Sequence, residues 1–462
     1  MTLCIHCTRC VRFGEEIGGI PELGAVGRGQ DMRITTYLQK GVQSELSGNI
    51  IDLCPVGALT SKPFKFKGRS WNFDKYKASS PHDCIGSNYE VHTVNRGYHR
   101  HEVMRVIPQK NNAINTVWIS DRDRFSYQAI NSKNRLTQPM IKQKGKFHSI
   151  SWSEALNIVV EAMSQLKNKK DMGVFSHPSA TLEEHFMLQQ WARSMGCDHL
   201  DHRITQQDFE HQELMTTQPT LGGITLNQIE ECDAVVLVGS DIRYEQPIGA
   251  FWIRRAALNG SVIHQIHHRQ CDTHYPCTQT VVNVPGLVHL FADVLTQIVE
   301  KKPKSKIPNT LTAWLKKQTI VSHPDAKKIA SVLLKNKKIA LFLGHAAINH
   351  PQASILYTLC SAITSLTNAT MGSLPLGANT VGAGIAGMLP NRLPFHQDIK
   401  GKKNKSEKKY SLFKEKRRYY WLHGIEPAYD IADPNQAIQA LKKADFVVMA
   451  HSFYDESMLA YA

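Results

Sequence analysis

The feature that most constrains the fold is a regular alternation of short apolar runs and amphipathic stretches from about residue 135 onward. Residues 151–154 and 181–184 each spell a capping box, and apolar residues then recur at helical spacing. Strands alternating with helices form βαβ units around a mostly parallel sheet. The pattern therefore predicts a large α/β region with doubly wound sheets. The predicted strands are residues 172–175, 233–241, 261–266, 337–344, 419–423 and 445–451.

The composition and periodicity of the chain before residue 135 are different. Residues 1–68 are rich in cysteine and glycine, with little helical period, and residues 69–134 alternate like a β-meander. We therefore predict three domains: a small cysteine-rich domain at 1–68, a small, mostly β domain at 69–134, and the α/β region at 135–462.

A cysteine triplet opens the chain. Cys4, Cys7 and Cys10 are spaced C-x2-C-x2-C, and a distant Cys54 is followed by Pro55. Iron–sulfur clusters take deprotonated thiolates, and a triplet plus a distant C-P is the ferredoxin arrangement for a [4Fe–4S] cluster. Structural zinc is the competing interpretation, although zinc usually takes two C-x2-C pairs or mixed histidines. A loop without metal is the third.

The apolar runs, the cysteine pattern and the net charge indicate which class of protein this is. No apolar run approaches the length of a bilayer span, no secretory signal is visible, and the uneven cysteine pattern is typical of a cytosolic protein with a local metal site. The formal net charge is +15, and residues 401–418 contribute much of the excess. This segment is interpreted as a solvated loop, a docking surface for an acidic partner or lipid, or a nucleic-acid patch.

Several blocks along the chain carry a family resemblance. In order they are RCVRF, CPVGALTSKPF, RLTQPMIKQKGKFHSISWSEAL, HLDHRITQQDF, VLVGSDIRYEQPI, GANTVGAGIAGMLP and WLHGIEPAYD. With these blocks the chain resembles the large peripheral-arm subunit of respiratory complex I, the 75-kDa subunit family of NADH-quinone oxidoreductase.

The resemblance implies a function. It implies a [4Fe–4S] ferredoxin-like domain, a small β domain and an α/β region similar to molybdopterin oxidoreductases but without molybdenum. The chain would relay electrons from the NADH/FMN module toward quinone, as a subunit of proton-translocating NADH:quinone oxidoreductase that does not turn over alone. Its expected partners are the flavin-bearing subunit and the quinone-side iron–sulfur subunits. The expected location is peripheral, on the cytoplasmic side of a bacterial inner membrane, without nucleic acid and without a membrane span.

The resemblance also implies ligands. Cys4, Cys7, Cys10 and Cys54 match the family's all-cysteine tetranuclear cluster. The family's [2Fe–2S] site and its cluster bound by one histidine and three cysteines lie upstream of the triplet and are expected to be absent. Some members hold a further cluster in the second region, where this chain has only Cys84, so we expect a structural thiol there. The chain also stops early relative to the family, and we interpret it as a fragment or a gene model begun at the wrong methionine.

Weaker signals leave alternatives. Residues 382–387 spell G-x-G-x-x-G, but their flanks predict a loop and not a dinucleotide site. Residues 264–277 gather histidines and cysteines, and their first stretch continues a predicted strand into a loop. A mobile polar loop is preferred over a zinc or copper site. Cys197, Cys232 and Cys360 are predicted to be buried thiols.

The alternative functions are a stand-alone molybdopterin oxidoreductase of the formate dehydrogenase type and a zinc-bound assembly or nucleic-acid module.

Overall fold

The computed structural model describes most of the chain, namely residues 3–36, 41–97, 101–166, 168–210, 219–303, 307–318, 322–397, 399, 412–414 and 417–462. Two compact units are present. The first comprises residues 1–131, 220–348 and 355–376, and the second comprises residues 132–219, 349–354 and 377–462. The domain boundaries predicted after residues 68 and 134 remain predictions.

The strands, numbered along the chain, are β1 Leu23–Val26, β2 Arg33–Thr36, β3 Asp74–Ser79, β4 Asn88–Asn95, β5 His101–Pro108, β6 Met140–Gln143, β7 Lys146–Ser149, β8 Met172–Ser176, β9 Leu200–Asp201, β10 Ala234–Val238, β11 Val262–His267, β12 Thr278–Val281, β13 Ile339–Leu343, β14 Ala369–Ser373, β15 Tyr419–His423 and β16 Phe446–Ala450.

The α-helices are Arg9–Arg12, Asn49–Leu53, Asp121–Phe125, Trp152–Ser164, Leu182–Ser194, Leu226–Ile229, Ile242–Glu245, Pro247–Leu258, Val284–Lys301, Asn309–Lys317, Ala326–Lys335, His345–Ile348, Ala353–Leu366, Thr380–Ile385, Pro427–Asp430 and Pro434–Lys442. Among the helices in the described ranges, none combines the length and the apolar character that crossing a bilayer requires.

A five-stranded parallel sheet organises the first unit, in the order β12-β11-β10-β13-β14. The order runs outward in both directions from β10, which is the doubly wound arrangement that the sequence predicts. Every residue of β10 and β13 is buried, because helices cover both faces of such a sheet and its central strands are apolar throughout. The helix Pro247–Leu258 begins with proline in its first turn, and Gly260 follows it at φ +99°.

The amino-terminal part of the chain packs into this same unit. It contains the antiparallel pair β1-β2 and the antiparallel three-stranded sheet β3-β4-β5. Phe13 and Leu46 belong to one buried apolar cluster with Leu237 and Trp252 of the α/β region. The cysteine-bearing segment is therefore anchored in the core of the large sheet.

The second unit contains a four-stranded parallel sheet in the order β16-β15-β8-β9 and the hairpin β6-β7. Both predicted capping boxes are present: Ser151 with Glu154 opens Trp152–Ser164, and Thr181 with Glu184 opens Leu182–Ser194. In each box, side chain and backbone satisfy N–H groups that the first helical turn leaves unpaired. The core of the unit includes Phe175, Tyr420, Leu422 and Leu441.

One local prediction is wrong. The predicted loop over residues 382–387 begins instead as the helix Thr380–Ile385, and the chain turns at Gly387 with φ +82°. A Cβ at Gly382 would lie only 1.9 Å from Oδ1 of Asn379. This glycine therefore reflects close packing of the chain on its own side chains. The preceding strand, β14, ends at Ser373, six residues before this helix, whereas the dinucleotide fingerprint follows its strand directly.

Candidate metal centre

The predicted ligand loop, from Cys4 to Cys10, is tightly curled. His6 at φ +55° and Thr8 at φ +58° both adopt the left-handed conformation. Non-glycine residues rarely do so, and such strained positions concentrate at functional sites. Each lies between two cysteines, so the backbone turns twice within seven residues. Cys7 is exposed, while Cys4 and Cys10 are half-buried.

The loop leads into a continuous helical segment, in which Arg9–Arg12 is α-helical and Phe13–Gly18 is a π-helix. Phe13 fixes this segment by packing against Trp118, with ring centroids 5.0 Å apart. Arg12 is exposed and pairs with Glu16 at 2.9 Å, so the neighbouring glutamate offsets its charge. Arg254, from the helix Pro247–Leu258, donates to the carbonyl oxygens of Glu15 and Glu16.

The predicted fourth ligand, Cys54, directly follows the helix Asn49–Leu53 and precedes Pro55. The backbone N–H of Leu59 donates to the Sγ of Cys54 at 3.5 Å. Burial raises the pKa of the Cys54 thiol, but the N–H groups of residues 56–59 lower it by more, so the net pKa is below that of a free cysteine. The turn that aims these N–H groups requires Gly57 at φ +65°. Because the thiolate is the metal-binding form, this environment prepares Cys54 to ligate.

The thiol of Cys10, unlike that of Cys54, has a pKa above its usual value. Burial raises the pKa of its thiol, the N–H groups of Val11 and Cys10 lower it, and the nearby thiolates of Cys7 and Cys4 raise it again. When ionised, the sulfurs of Cys7 and Cys4 are thus close enough to repel that of Cys10. A cationic iron core would relieve this repulsion, so the donor set fits a cluster.

The two halves of the predicted site are brought together by their helices, since Arg9–Arg12 contacts Asn49–Leu53. Within the described residues, no three His, Cys, Asp or Glu side chains surround a position for a single metal ion. A cubane does not need such a position, because each thiolate binds a different iron. The arrangement is therefore compatible with a [4Fe–4S] cluster. The ligand assignment itself remains a prediction.

A buried polar network holds the helix that precedes Cys54. Asn49 is fully buried and bonds to Ile119, while Arg124 donates to Asp52 at 2.6 Å. Asp121 accepts from the N–H of Gly48 at 2.6 Å and from the hydroxyl of Ser47 at 2.5 Å. The sequence analysis did not identify these residues. Their partners lie some 70 residues away, and the only local signal is that they are polar residues beside apolar ones.

The remaining candidate residues lie in other settings. Burial raises the pKa of the Cys84 thiol well above its usual value, and Cys84 packs against the apolar core, which suits a structural thiol. Cys197, Cys232 and Cys360 are buried, as predicted. Most of the basic segment 401–418 lies outside the described residues. Where described, it includes the buried Leu412 and Phe413.

In the histidine- and cysteine-rich segment 264–277, His264 lies in β11, as the predicted strand over 261–266 requires, and a loop follows from residue 268. His264 is buried, and its Nε2 contacts the hydroxyl of Thr280 at 2.9 Å. The loop differs from the prediction in being partly buried. Cys271 and Tyr275 are also buried, because the segment folds back onto the unit's core. Burial lowers the pKa of His264 to about 4. These side chains do not form a metal-holding group within the part of the chain that the structure describes.

Three protein-family models match successive parts of the chain. The model "Molybdopterin oxidoreductase" matches residues 135–462, and "NADH-quinone oxidoreductase subunit 3, ferredoxin-like domain" matches residues 1–60. The model "NADH-ubiquinone oxidoreductase NDSU1/NuoG-like, 4Fe-4S domain" matches residues 80–128, where Cys84 is the only cysteine.

Individual relatives are similar over part of the chain. The NADH-ubiquinone oxidoreductase 75 kDa subunit of Reclinomonas americana is 37% identical over 56% of this chain and 38% of its own length. The mitochondrial NADH dehydrogenase [ubiquinone] iron-sulfur protein 1 of Solanum tuberosum is 41% identical over 53% of this chain and 32% of its own length. The matched part of the chain thus spans less than two fifths of either relative.

Among solved structures, acetylene hydratase from Pelobacter acetylenicus is similar with a TM-score of 0.55 at 11% identity, covering 84% of this chain and 62% of that one. At this identity the likeness shows the fold alone.

Proposed function

The chain belongs to the molybdopterin oxidoreductase family, and on this premise we propose that it is an electron-transfer subunit of proton-translocating NADH:quinone oxidoreductase, respiratory complex I. The observation that carries the proposal is the Cys54 thiol held among backbone N–H groups, beside the helix that contains Cys10.

We assign Cys4, Cys7, Cys10 and Cys54 as the ligands of one [4Fe–4S] cluster. When bound, such a cluster supplies reversible one-electron transfer. The chain's own contribution is to hold four thiolates in place and to stabilise their negative charge. The N–H groups of residues 56–59 stabilise the negative charge of the Cys54 thiolate. Such hydrogen bonds to sulfur raise the reduction potential of a cluster.

The partners follow from the same assignment. One cluster receives and passes on electrons only if other centres lie within reach. We therefore propose that the chain works with the flavin-bearing NADH-oxidising subunit and with quinone-side iron–sulfur subunits. We also propose a peripheral location on the cytoplasmic side of a bacterial inner membrane, and no turnover by this chain alone.

No observation beyond the shared fold favours the second candidate, a stand-alone molybdopterin oxidoreductase. We propose that the α/β region carries no molybdenum cofactor and that the region around Cys84 carries no cluster. The test is metal analysis of the 462-residue chain prepared anaerobically, with iron, sulfide, zinc and molybdenum measured together. The proposal expects about four irons per chain, the content of one cubane. Stoichiometric molybdenum, or zinc in place of iron, would overturn it.

A further inference from the structure

A cavity of about 280 Å³ lies beside the predicted cluster site, within the first unit. The helix Asn49–Leu53, the segment after Cys54 and the strand β5 form its walls. Its charged and polar lining consists of Asp52, Thr60, Ser61, Lys65, Arg105 and Arg124. None of the four predicted cluster ligands lines it, so it is a separate cavity and not the space that a cluster would fill.

The charges around the cavity are unbalanced. Arg124 is paired with Asp52 at 2.6 Å, which leaves Lys65 and Arg105. Within the described ranges, neither of these two residues has a carboxylate within 4.0 Å, the limit for an ion pair. The charged lining, with three cationic side chains and one carboxylate, therefore carries a net charge of +2.

Arg105 is held in a fixed orientation. Its Nε donates to Nδ1 of His92 at 3.1 Å, and its guanidinium lies over the ring of Phe64, 4.8 Å from the centroid. The side chain is half-buried, and its pKa is lowered first by burial and then by Arg124, against the opposing effect of Asp52. Since a partly buried cation is costly without a counter-ion, an anion in the cavity would be stabilised. An oriented guanidinium offers paired N–H donors that suit carboxylate and phosphate oxygens.

The rest of the lining is apolar. Ile51, Phe64, Val106 and Ile107 supply one wall, while Thr60 and Ser61 supply hydroxyls. The volume lies just below the usual range for ligand pockets. We infer that this cavity is a binding site for a small organic anion, a carboxylate or phosphate monoester with an apolar body about the size of one benzene ring.

The site would also report on the cluster, a consequence that rests on the proposed function. Gly57 and Leu59 line the cavity, and their N–H groups face the sulfur of Cys54. An anion bound here adds negative charge behind the groups that stabilise the Cys54 thiolate. Occupancy would therefore lower the reduction potential of the cluster.

Binding is tested first, by calorimetric titration of the anaerobically prepared 462-residue chain. The probes are benzoate, its uncharged match benzamide, phenyl phosphate and inorganic phosphate. We expect saturable binding of benzoate or phenyl phosphate, at least tenfold tighter than benzamide or inorganic phosphate respectively. A preference for benzoate identifies a carboxylate ligand, and a preference for phenyl phosphate identifies a phosphate monoester. Absence of saturable binding by both organic anions, or equal binding of benzamide, overturns the inference.

Two variants locate the site. Arg105→Gln should weaken the binding of the anionic probe at least tenfold, and Lys65→Gln about threefold, because each removes a charged donor. Lys65 is exposed, so its variant remains informative even if Arg105→Gln fails to fold. The matched control is Lys67→Gln, an exposed lysine outside the cavity lining, which should leave binding unchanged. Unchanged binding in both cavity variants contradicts the inference.

The effect on the cluster is measured separately, by redox titration followed by EPR with and without a saturating amount of the tighter probe. A shift to lower potential with the wild-type chain, and a shift about half as large with Lys65→Gln when the probe is held at the wild-type dissociation constant, supports the link. A probe that binds without moving the potential contradicts the link. A chain that binds benzoate but contains no iron would refute the proposed function and leave the anion site standing.

Discussion

Asn49 and Ile119 form a two-point hydrogen-bonded pair. Nδ2 of Asn49 donates to the carbonyl of Ile119 at 2.8 Å, and its Oδ1 accepts from the N–H of Ile119 at 3.1 Å. The same amide also donates to the carbonyl of Leu46. One side chain therefore makes both backbone hydrogen bonds that a neighbouring strand would make, and it joins the helix before Cys54 to the segment around Ile119.

We predict that Asn49→Ala destabilises the first unit by about 2–4 kcal/mol, because it leaves buried backbone groups of Ile119 without partners. The helix before Cys54 should loosen with it, so the iron content of the anaerobic preparation should also fall. Thermal unfolding and iron analysis measure the two effects. Asn72→Ala, at an exposed asparagine, is the control and should change neither. A wild-type melting temperature for Asn49→Ala would show that the pair contributes nothing.

The second prediction concerns Gly57, which lies among the backbone N–H groups of residues 56–59 that face the Cys54 sulfur. Its φ of +65° is unfavourable for any residue with a Cβ, although no atom lies within 4 Å of the position that a Cβ would take. Gly57→Ala should cost about 1 kcal/mol from backbone strain alone and should misalign the N–H groups facing Cys54. We expect a lower cluster reduction potential in EPR-monitored titration. Gly97→Ala, also at positive φ in open space but just after β4, should cost similar stability without moving the potential.

Asp83 gives a pH prediction for the first unit. Burial and the nearby Asp123 raise its pKa to about 6, despite its 2.9 Å ion pair with Arg122. The folded state therefore holds the proton more tightly than the unfolded state. This contribution is fully present below about pH 4 and is lost as pH rises through about 6, amounting to roughly 3 kcal/mol.

Asp83→Asn should remove this dependence. Its stability relative to the wild-type chain should rise by that amount between pH 4 and pH 7, as measured by urea unfolding at both values. A constant difference between the two proteins across this range would show that Asp83 does not titrate as the structure indicates.

His185 gives a pH prediction of the opposite sign in the second unit. It is fully buried, and neither ring nitrogen has a hydrogen-bond partner in the described structure. Burial lowers its pKa to about 3, with nearby His202, His423 and His177 adding to the effect. Its neutral form stabilises the fold above about pH 6.5, and this stability is lost as pH falls toward 3.

His185→Phe keeps a ring in the site and removes the titration. It should gain about 2 kcal/mol over the wild-type chain on going from pH 7 to pH 5, measured by thermal unfolding at both values. His148→Phe, at an exposed histidine in β7, should show no such gain. Equal acid sensitivity of His185→Phe and the wild-type chain would refute the prediction.

The regular elements were predictable because their signals are local. The strand Tyr419–His423 follows from five residues, and the two capping boxes follow from four residues each. The loop prediction for residues 382–387 was wrong because glycine is used both in turns and where chains pack closely. Only the contact of Gly382 with Asn379, which the sequence does not show, distinguishes the two. The loop after β11 was predicted as a polar one, because its composition does not reveal that Cys271 and Tyr275 are buried.

The candidate site was predictable in part for the same reason. The cysteine spacing is a local signal, and it identifies the four candidate ligands without the structure. The N–H groups around Cys54, the pair Asn49–Ile119 and the orientation of Arg105 depend on how the folded chain arranges these groups in space. Such arrangements become visible only after the chain has folded.

The most direct test of the central claim is the EPR signal of the dithionite-reduced, anaerobically prepared chain, compared between wild type, Cys54→Ala and Cys277→Ala. Cys277 is a half-buried thiol outside the candidate site and serves as the control. We predict a [4Fe–4S] signal of about one spin per chain in the wild type and in Cys277→Ala, and its loss in Cys54→Ala. A full signal in Cys54→Ala, or no signal in any of the three, would contradict the assignment of Cys54 as the fourth ligand.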